Sequence, residues 1–187
     1  VLGHIFFAGA AAHWLIAFLG VGKLLAQGGF PNAARIGTVL GIVACGITAS
    51  MIIAQGSVMV KMSQLFVSAP NDSARDTVLM AYRGIRAIDQ GMDLAFDLFF
   101  FSGWICFGVA MFRHRRFGKF FGAIVILPFV IDTPIQLWYA PTPPAFDIGP
   151  FASLILLAVY IQAFRVALRT LPEVTGREAM TTKAAHS

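Results

Sequence analysis

The sequence predicts an all-α fold, a polytopic bundle of transmembrane helices with about five spans, and three observations lead there. Hydrophobic residues make up 58% of the chain and charged residues only 12%, against about 25% charged residues in a soluble domain. Mean hydropathy is +0.77. Apolar stretches near 2–22, 36–66, 91–112, 117–140 and 148–170 each reach the roughly 20 residues that a helix needs to cross about 30 Å of hydrocarbon. Backbone polar groups inside lipid must be satisfied within their own segment, so these stretches read as helices.

Charge sets the expected orientation. The net charge of +5 is concentrated in the run from Arg113 through His114, Arg115 and Arg116 to Lys119, and in Arg165, Arg169, Arg177 and Lys183 near the end. Such clusters mark cytoplasmic loops and meet anionic lipid headgroups, so Arg113, Arg115, Arg116 and Lys119 are topology and headgroup residues and nucleic acid is not a partner. Alternation then places the C-terminus in the cytoplasm and Val1 on the outer side. Lys23 and Arg35 fall in an inside loop, and Trp138 and Tyr139 suit the outer interface.

Each element follows in order. The chain opens without a Met or a basic leader, so no cleavable signal peptide is recognised. The first span carries His4 near the outer surface and His13 near the middle. The second carries a ridge of small residues, Gly37, Gly41, Cys45 and Ala49, of the kind that lets helices approach closely, and brings Lys61 into the outer half. Pro70, Asn71 and Asp72 form a turn, and Ser73 with Asp76 resembles a capping box. Val78, Ala81, Tyr82, Ile85 and Ile88 then repeat at helical spacing, giving an amphipathic segment near 73–90 that lies on the outer surface or runs on into the third span.

Arg86, Gln90, Asp93 and Asp97 are spaced by four, three and four residues, which aligns them on one helical stripe. Phe96, Phe99, Phe100 and Phe101 wrap the same helix; core packing is the ordinary reading, and contact with lipid or a partner subunit the alternative. Gly118 and Gly122 open the fourth span as a second small-residue pair. Asp132 lies further along it, between Pro128 and Pro134, each of which removes a helix hydrogen bond. Residues 171–187 contain Pro172 and Gly176 among small and polar residues, and are expected to form a mobile cytoplasmic tail.

The intramembrane charges carry the only hint of chemistry, since ionisable groups in hydrocarbon are costly and kept for pairing, ions or ligands. Lys61, Arg86, Gln90, Asp93, Asp97 and Asp132 form a candidate polar cluster in the outer half. Its plain reading is structural, with Lys61 paired to Asp93 or Asp97 and Asp132 held by a hydrogen bond. Its functional reading is an ion path. His4 and His13 are nine residues apart and cannot ligate one metal as an i, i+4 pair; His4 would need carboxylates from other helices, and His13 could serve only as a single axial ligand to a pigment. His114 and His186 need no special role. Cys45 and Cys106 lie within spans and read as small apolar fillers. No nucleophile elbow, phosphate loop, HExxH helix or CxxC pair occurs, so the chain is not expected to be an enzyme, and no cofactor is assigned.

The stretch Ile88-Asp89-Gln90-Gly91-Met92-Asp93-Leu94-Ala95-Phe96-Asp97-Leu98-Phe99, the run from Gly108 to Gly118, the segment Leu137-Trp138-Tyr139-Ala140-Pro141-Thr142-Pro143-Pro144-Ala145 and the motif Asp147-Ile148-Gly149-Pro150 resemble a broad group of bacterial polytopic membrane proteins known as a domain of unknown function. The resemblance implies a small all-helical protein of a bacterial cytoplasmic membrane, often with about six spans, and so a helix ahead of Val1. It implies no activity. Together these readings lead to a non-catalytic membrane subunit that packs against other integral membrane proteins, or itself, and stabilises a larger assembly. The alternatives are a small ion-coupled transporter or channel using Asp93, Asp97 and Asp132, and a metal- or pigment-binding protein using His4 or His13.

Overall fold

The computed structural model describes the backbone of residues 2–28, 30–140 and 149–184, and side chains at 9, 11–28, 30–140 and 151–169. All regular structure in the described residues is helical, with no strand. Helix α1 spans Leu2–Ala26, α2 Pro31–Ile53, α3 Val60–Val67, α4 Asp72–Phe112, α5 Gly118–Tyr139 and α6 Gly149–Ala184. A π-helical segment, Ala54–Met59, joins α2 to α3 without a break. Among the described residues, 31–67, 72–112, 118–139 and 151–169 are long and apolar enough to cross a membrane, and Ala11–Ala26 is a shorter apolar helix. The protein is an integral membrane protein built as a helical bundle.

Helix α4 is the axis of the bundle. It packs against α2 on one side and α5 on the other; α1 lies on α2 and α4, and α6 closes against α5 and α1. Side chains that are wholly buried, Phe18 of α1, Trp104 and Phe107 of α4, Val125 of α5 and Val159 of α6, form its centre. Phe18 stands 5.7 Å from Phe100, 5.4 Å from Trp104 and 5.5 Å from Phe107, ring centre to ring centre. Phe100 and Phe101 are buried and Phe99 is exposed, so the aromatic third span is mainly core.

Lipid tails are as apolar as these side chains, so close van der Waals contact holds the helices together. The small residues act here. A Cβ on Gly37 would lie 2.8 Å from the Gly103 carbonyl and 2.6 Å from Phe107, and one on Gly41 would collide with the Phe18 ring. A Cβ on Gly122 would lie 2.8 Å from the Gly108 carbonyl. These ridges are therefore used within the chain, Gly37 at α2–α4, Gly41 at α1–α2 and Gly122 at α4–α5. Gly118 differs from the expected packing pair: nothing lies within 4 Å of its Cβ position, and its φ of +75° is what the turn into α5 requires.

Three boundaries depart from the sequence reading. Helix α4 begins two residues early, so its N-cap is Asn71, whose side chain accepts the Ala74 amide at 2.9 Å, and Ser73 lies inside the first turn. The amphipathic 73–90 segment runs on into the third span as one 41-residue helix, because no Pro or turn-forming sequence separates them. The backbone of 171–184 continues α6, the stretch expected to be a mobile tail; the side chains there, and the loop 141–148, lie outside the described residues.

Candidate functional site

Heights along the helices sort the polar residues. Measured from the end that carries the basic loop, at about 1.5 Å per residue, Asp132 lies at about 21 Å, Asp97 at about 23 Å, Asp93 at about 29 Å, Asp89 at about 35 Å, Gln55 at about 36 Å and Lys61 at about 45 Å. The expected cluster therefore divides into two levels, with Lys61 beyond both.

At the level farther from the basic loop the buried carboxylate is Asp89, 4% exposed. Gln55, on the π-helical segment, donates its amide to both carboxylate oxygens at 3.1 and 3.4 Å, and Arg86 pairs with Asp89 at 3.0 Å one turn away on α4. Arg86 is half-exposed, so the pair is screened on one side. Asp93 is exposed, and near enough to Asp89 and Arg86 to feel both charges. Lys61 is exposed and takes no part in the ion pairs of the described residues, Arg75 with Asp72 and Arg86 with Asp89. It misses Asp93 because α2 and α3 form one helix that runs about 16 Å past that level. Asp89 was hidden in the sequence by its more regular neighbours Arg86, Gln90, Asp93 and Asp97. The i, i+3 spacing from Arg86 was the signal that pointed to it.

At the level nearer the basic loop Asp132 is buried on α5 and accepts from Gln136 at 3.4 Å. Helix α5 passes through both Pro128 and Pro134. Asp97 lines a cleft of about 320 Å³ whose walls include Trp14, Phe96, Phe100, Ser153 and Tyr160. Trp14 stacks on Phe96 at 5.8 Å and meets Phe100 at 5.6 Å. The Tyr160 hydroxyl is buried and has no hydrogen-bond partner, as is the Trp104 indole N–H behind it, their rings 5.7 Å apart.

The basic end is more ordered than a topology signal requires. His114 is buried within the five-residue turn 113–117 between α4 and α5. Its carbonyl accepts the amides of Phe117 and Gly118, its Nδ1 accepts the Arg116 amide at 3.3 Å, and its other ring nitrogen donates to the Leu24 carbonyl of α1. Burial pushes the imidazole below its ordinary pKa; the Leu24 bond opposes that shift and the Arg116 charge adds to it. A Cβ on Gly28 would collide with this ring. Arg116 donates to the Val166 carbonyl of α6 at 3.2 Å, and Gln162 of α6 donates to the Arg116 carbonyl at 2.9 Å. Arg113 lies 4.5 Å over the Phe30 ring, while Arg115 and Lys119 are exposed. His114 and Arg116 thus tie three elements together, a role that neighbouring cations masked in the sequence.

His13 is exposed, with Nδ1 2.6 Å from the Gly9 carbonyl of its own helix. The His4 side chain lies outside the described residues. Among the described residues no three His, Cys, Asp or Glu side chains converge on a metal-sized site. Comparison of this chain with protein-family models, with characterised proteins and with solved structures returned no match.

Proposed function

We propose that this protein is a non-catalytic membrane subunit that packs against another integral membrane protein and stabilises an assembly, with the helical hairpin 54–90 as its docking arm. One observation carries the reading. All residues between Thr48 and Asp89 are described and none of them is buried, although the arm presents Val67, Met80 and Ile88 at 80%, 65% and 66% exposure. From Asp72 to Gln90 the arm extends about 27 Å. A unit of under about 40 residues rarely holds itself together without outside support. Met62, Phe66, Val78, Leu79 and Tyr82 line an apolar groove between its helices, and an apolar partner surface would complete it.

Photo-crosslinkers at Val67 and Met80, compared with one at lipid-facing Ile16, test this in native membranes. Discrete adducts from the arm to another integral membrane protein, in stoichiometric amount on blue-native gels, are expected. A lone monomer in several mild detergents without arm adducts sinks the reading, and adducts only to a second copy replace it with a homo-oligomer.

The topology belongs to the same proposal: a bacterial cytoplasmic membrane with the 113–119 loop and C-terminus inside. Lys23, Arg35, Arg113, Arg115, Arg116 and Lys119 on one end support it. Labelling an Arg115→Cys variant only from the cytoplasmic side is the expected result, and labelling from outside reverses the topology. The shared level of Asp97 and Asp132 favours a second reading, an ion-coupled carrier. That reading fails if Asp97→Asn and Asp132→Asn leave every flux of the wild type intact.

A further inference from the structure

The face shared by α4 and α5 near the basic end carries a groove that neither the arm nor the aromatic core uses. Its volume is about 470 Å³, and its lining is wholly apolar, with Phe112 of α4 and Phe120, Ala123, Ile126, Leu127 and Val130 of α5 along it. Packing at the helix crossing shapes it. A Cβ on Gly108 would lie 2.5 Å from Ile126 and one on Gly122 2.5 Å from Phe112, so each of these side chains lies over a glycine of the other helix. Ala123 offers a lone methyl group between Phe120 and Leu127, which are 72% and 62% exposed, and the surface sinks between them. From Phe120 to Val130 the groove runs about 15 Å. That is half of the roughly 30 Å hydrocarbon core, the depth of a single leaflet.

Cations stand at its mouth. Lys119 precedes Phe120 and shares a helical stripe with Ala123, Ile126 and Val130, at i+4, i+7 and i+11. Arg115 lies in the turn that leads into α5. Both are exposed, and neither takes part in the ion pairs of the described residues, Arg75 with Asp72 and Arg86 with Asp89. The carboxylates of Asp132 and Asp97 lie about 21 and 23 Å deeper along the helices. The mouth therefore favours an anion, and the groove below it favours hydrocarbon. A phospholipid supplies both in one molecule. We propose that this groove holds one anionic phospholipid from the leaflet on the basic side, with its phosphodiester headgroup at Lys119 and Arg115 and an acyl chain along Ala123, Leu127 and Val130. Diffuse attraction of basic residues to a charged membrane surface requires no groove; an ordered lipid uses the charge and the groove together.

The test uses the full chain in dodecyl maltoside, with phosphatidylglycerol and phosphatidylcholine of identical acyl chains titrated by native mass spectrometry. Saturable binding of about one phosphatidylglycerol per chain is expected, at least about tenfold tighter than phosphatidylcholine, which corresponds to about 1.4 kcal/mol. Lys119→Gln with Arg115→Gln is expected to abolish that preference, and Ala123→Phe, which fills the groove, to weaken binding of both lipids. Lys23→Gln with Arg35→Gln, which removes as much charge from exposed positions of α1 and α2 at the same end, leaves binding unchanged. No saturable binding, equal binding of the two lipids, equal loss in the α1 and α2 variant, or full displacement by glycerol phosphate overturns the proposal; the last would mark a headgroup site that takes no chain. A photo-crosslinker at Leu127 is expected to give lipid adducts in native membranes, and adducts to a second copy or another protein in their place also overturn it. The lipid comparison needs only the wild-type protein, so it decides the matter even if a variant fails to fold. Lipid binding is independent of the arm, and loss of assembly would not mimic its failure.

Discussion

Gly118 and His114 show how single residues fix the basic end. Gly118 holds a φ of +75°, where an L side chain costs about 1–2 kcal/mol. Gly118→Ala is therefore expected to lower stability by about that amount, read as an earlier thermal unfolding transition in detergent. Burial pushes the His114 imidazole below its ordinary pKa, which in the unfolded chain is about 6.5. The unfolded state then binds more protons under mildly acid conditions. Stability from this residue is full above the unfolded value and is lost as pH falls toward the lower folded one. Protonating Nδ1 also ends its acceptance of the Arg116 amide. Unfolding measured from pH 8 to pH 5 should show that loss, and His114→Asn should flatten it; an unchanged slope would place the pH dependence elsewhere. The burial of His114 was not legible in the sequence because Arg113, Arg115 and Arg116 make the whole loop look solvated.

Among the elements, the π-helical segment decides where the arm points. Ala54–Met59 contains the extra residue that a π-bulge inserts into an α-helix. That places Gln55 against Asp89 and turns α3 toward the first half of α4. Deleting Gly56 should restore α-helical phase and rotate α3 by about 100°, taking Met62 and Phe66 off the groove. Hydrogen exchange over 60–90 is expected to rise sharply while exchange over 100–112 stays slow. Gln55→Leu should produce a milder form of the same change, because it leaves the buried Asp89 with only Arg86, at a cost of about 1–3 kcal/mol. Unchanged exchange in both variants would mean that the arm is held by something other than this junction. The hydrophobic pattern could not reveal the π segment, since an apolar run reads alike in α and π form.

For the molecule as a whole, the bundle separates three tasks by height. Ordered cations occupy one end, an aromatic core with Asp97 and Asp132 the middle, and a helical arm the other end. A side chain on Gly37 of α2 would run into Phe107 and the Gly103 carbonyl of α4, so Gly37→Leu is expected to disrupt the fold and Gly46→Leu, at a position with open space beside it, to be tolerated; size-exclusion profiles in detergent separate the two outcomes. Because Gly37, Gly41 and Gly122 are used inside the chain, an assembly would have to form through the arm and the lipid-facing surface.

The sequence by itself determined the membrane-spanning character, the all-helical class and the basic end, because hydrocarbon thickness and the cost of charge act on segments whatever their neighbours. It also marked the small-residue ridges. Tertiary structure decided which polar residues meet. Lys61 was expected at the level of Asp93 and Asp97 yet stands about 16 Å beyond Asp93, Asp89 finds Gln55 across 34 positions, and Asp97 joins a cleft made by α1, α4, α5 and α6. Helix periodicity gives a residue's angle around its own axis, but contact also depends on where that helix starts, whether its phase shifts along the way, and which neighbours its glycines admit.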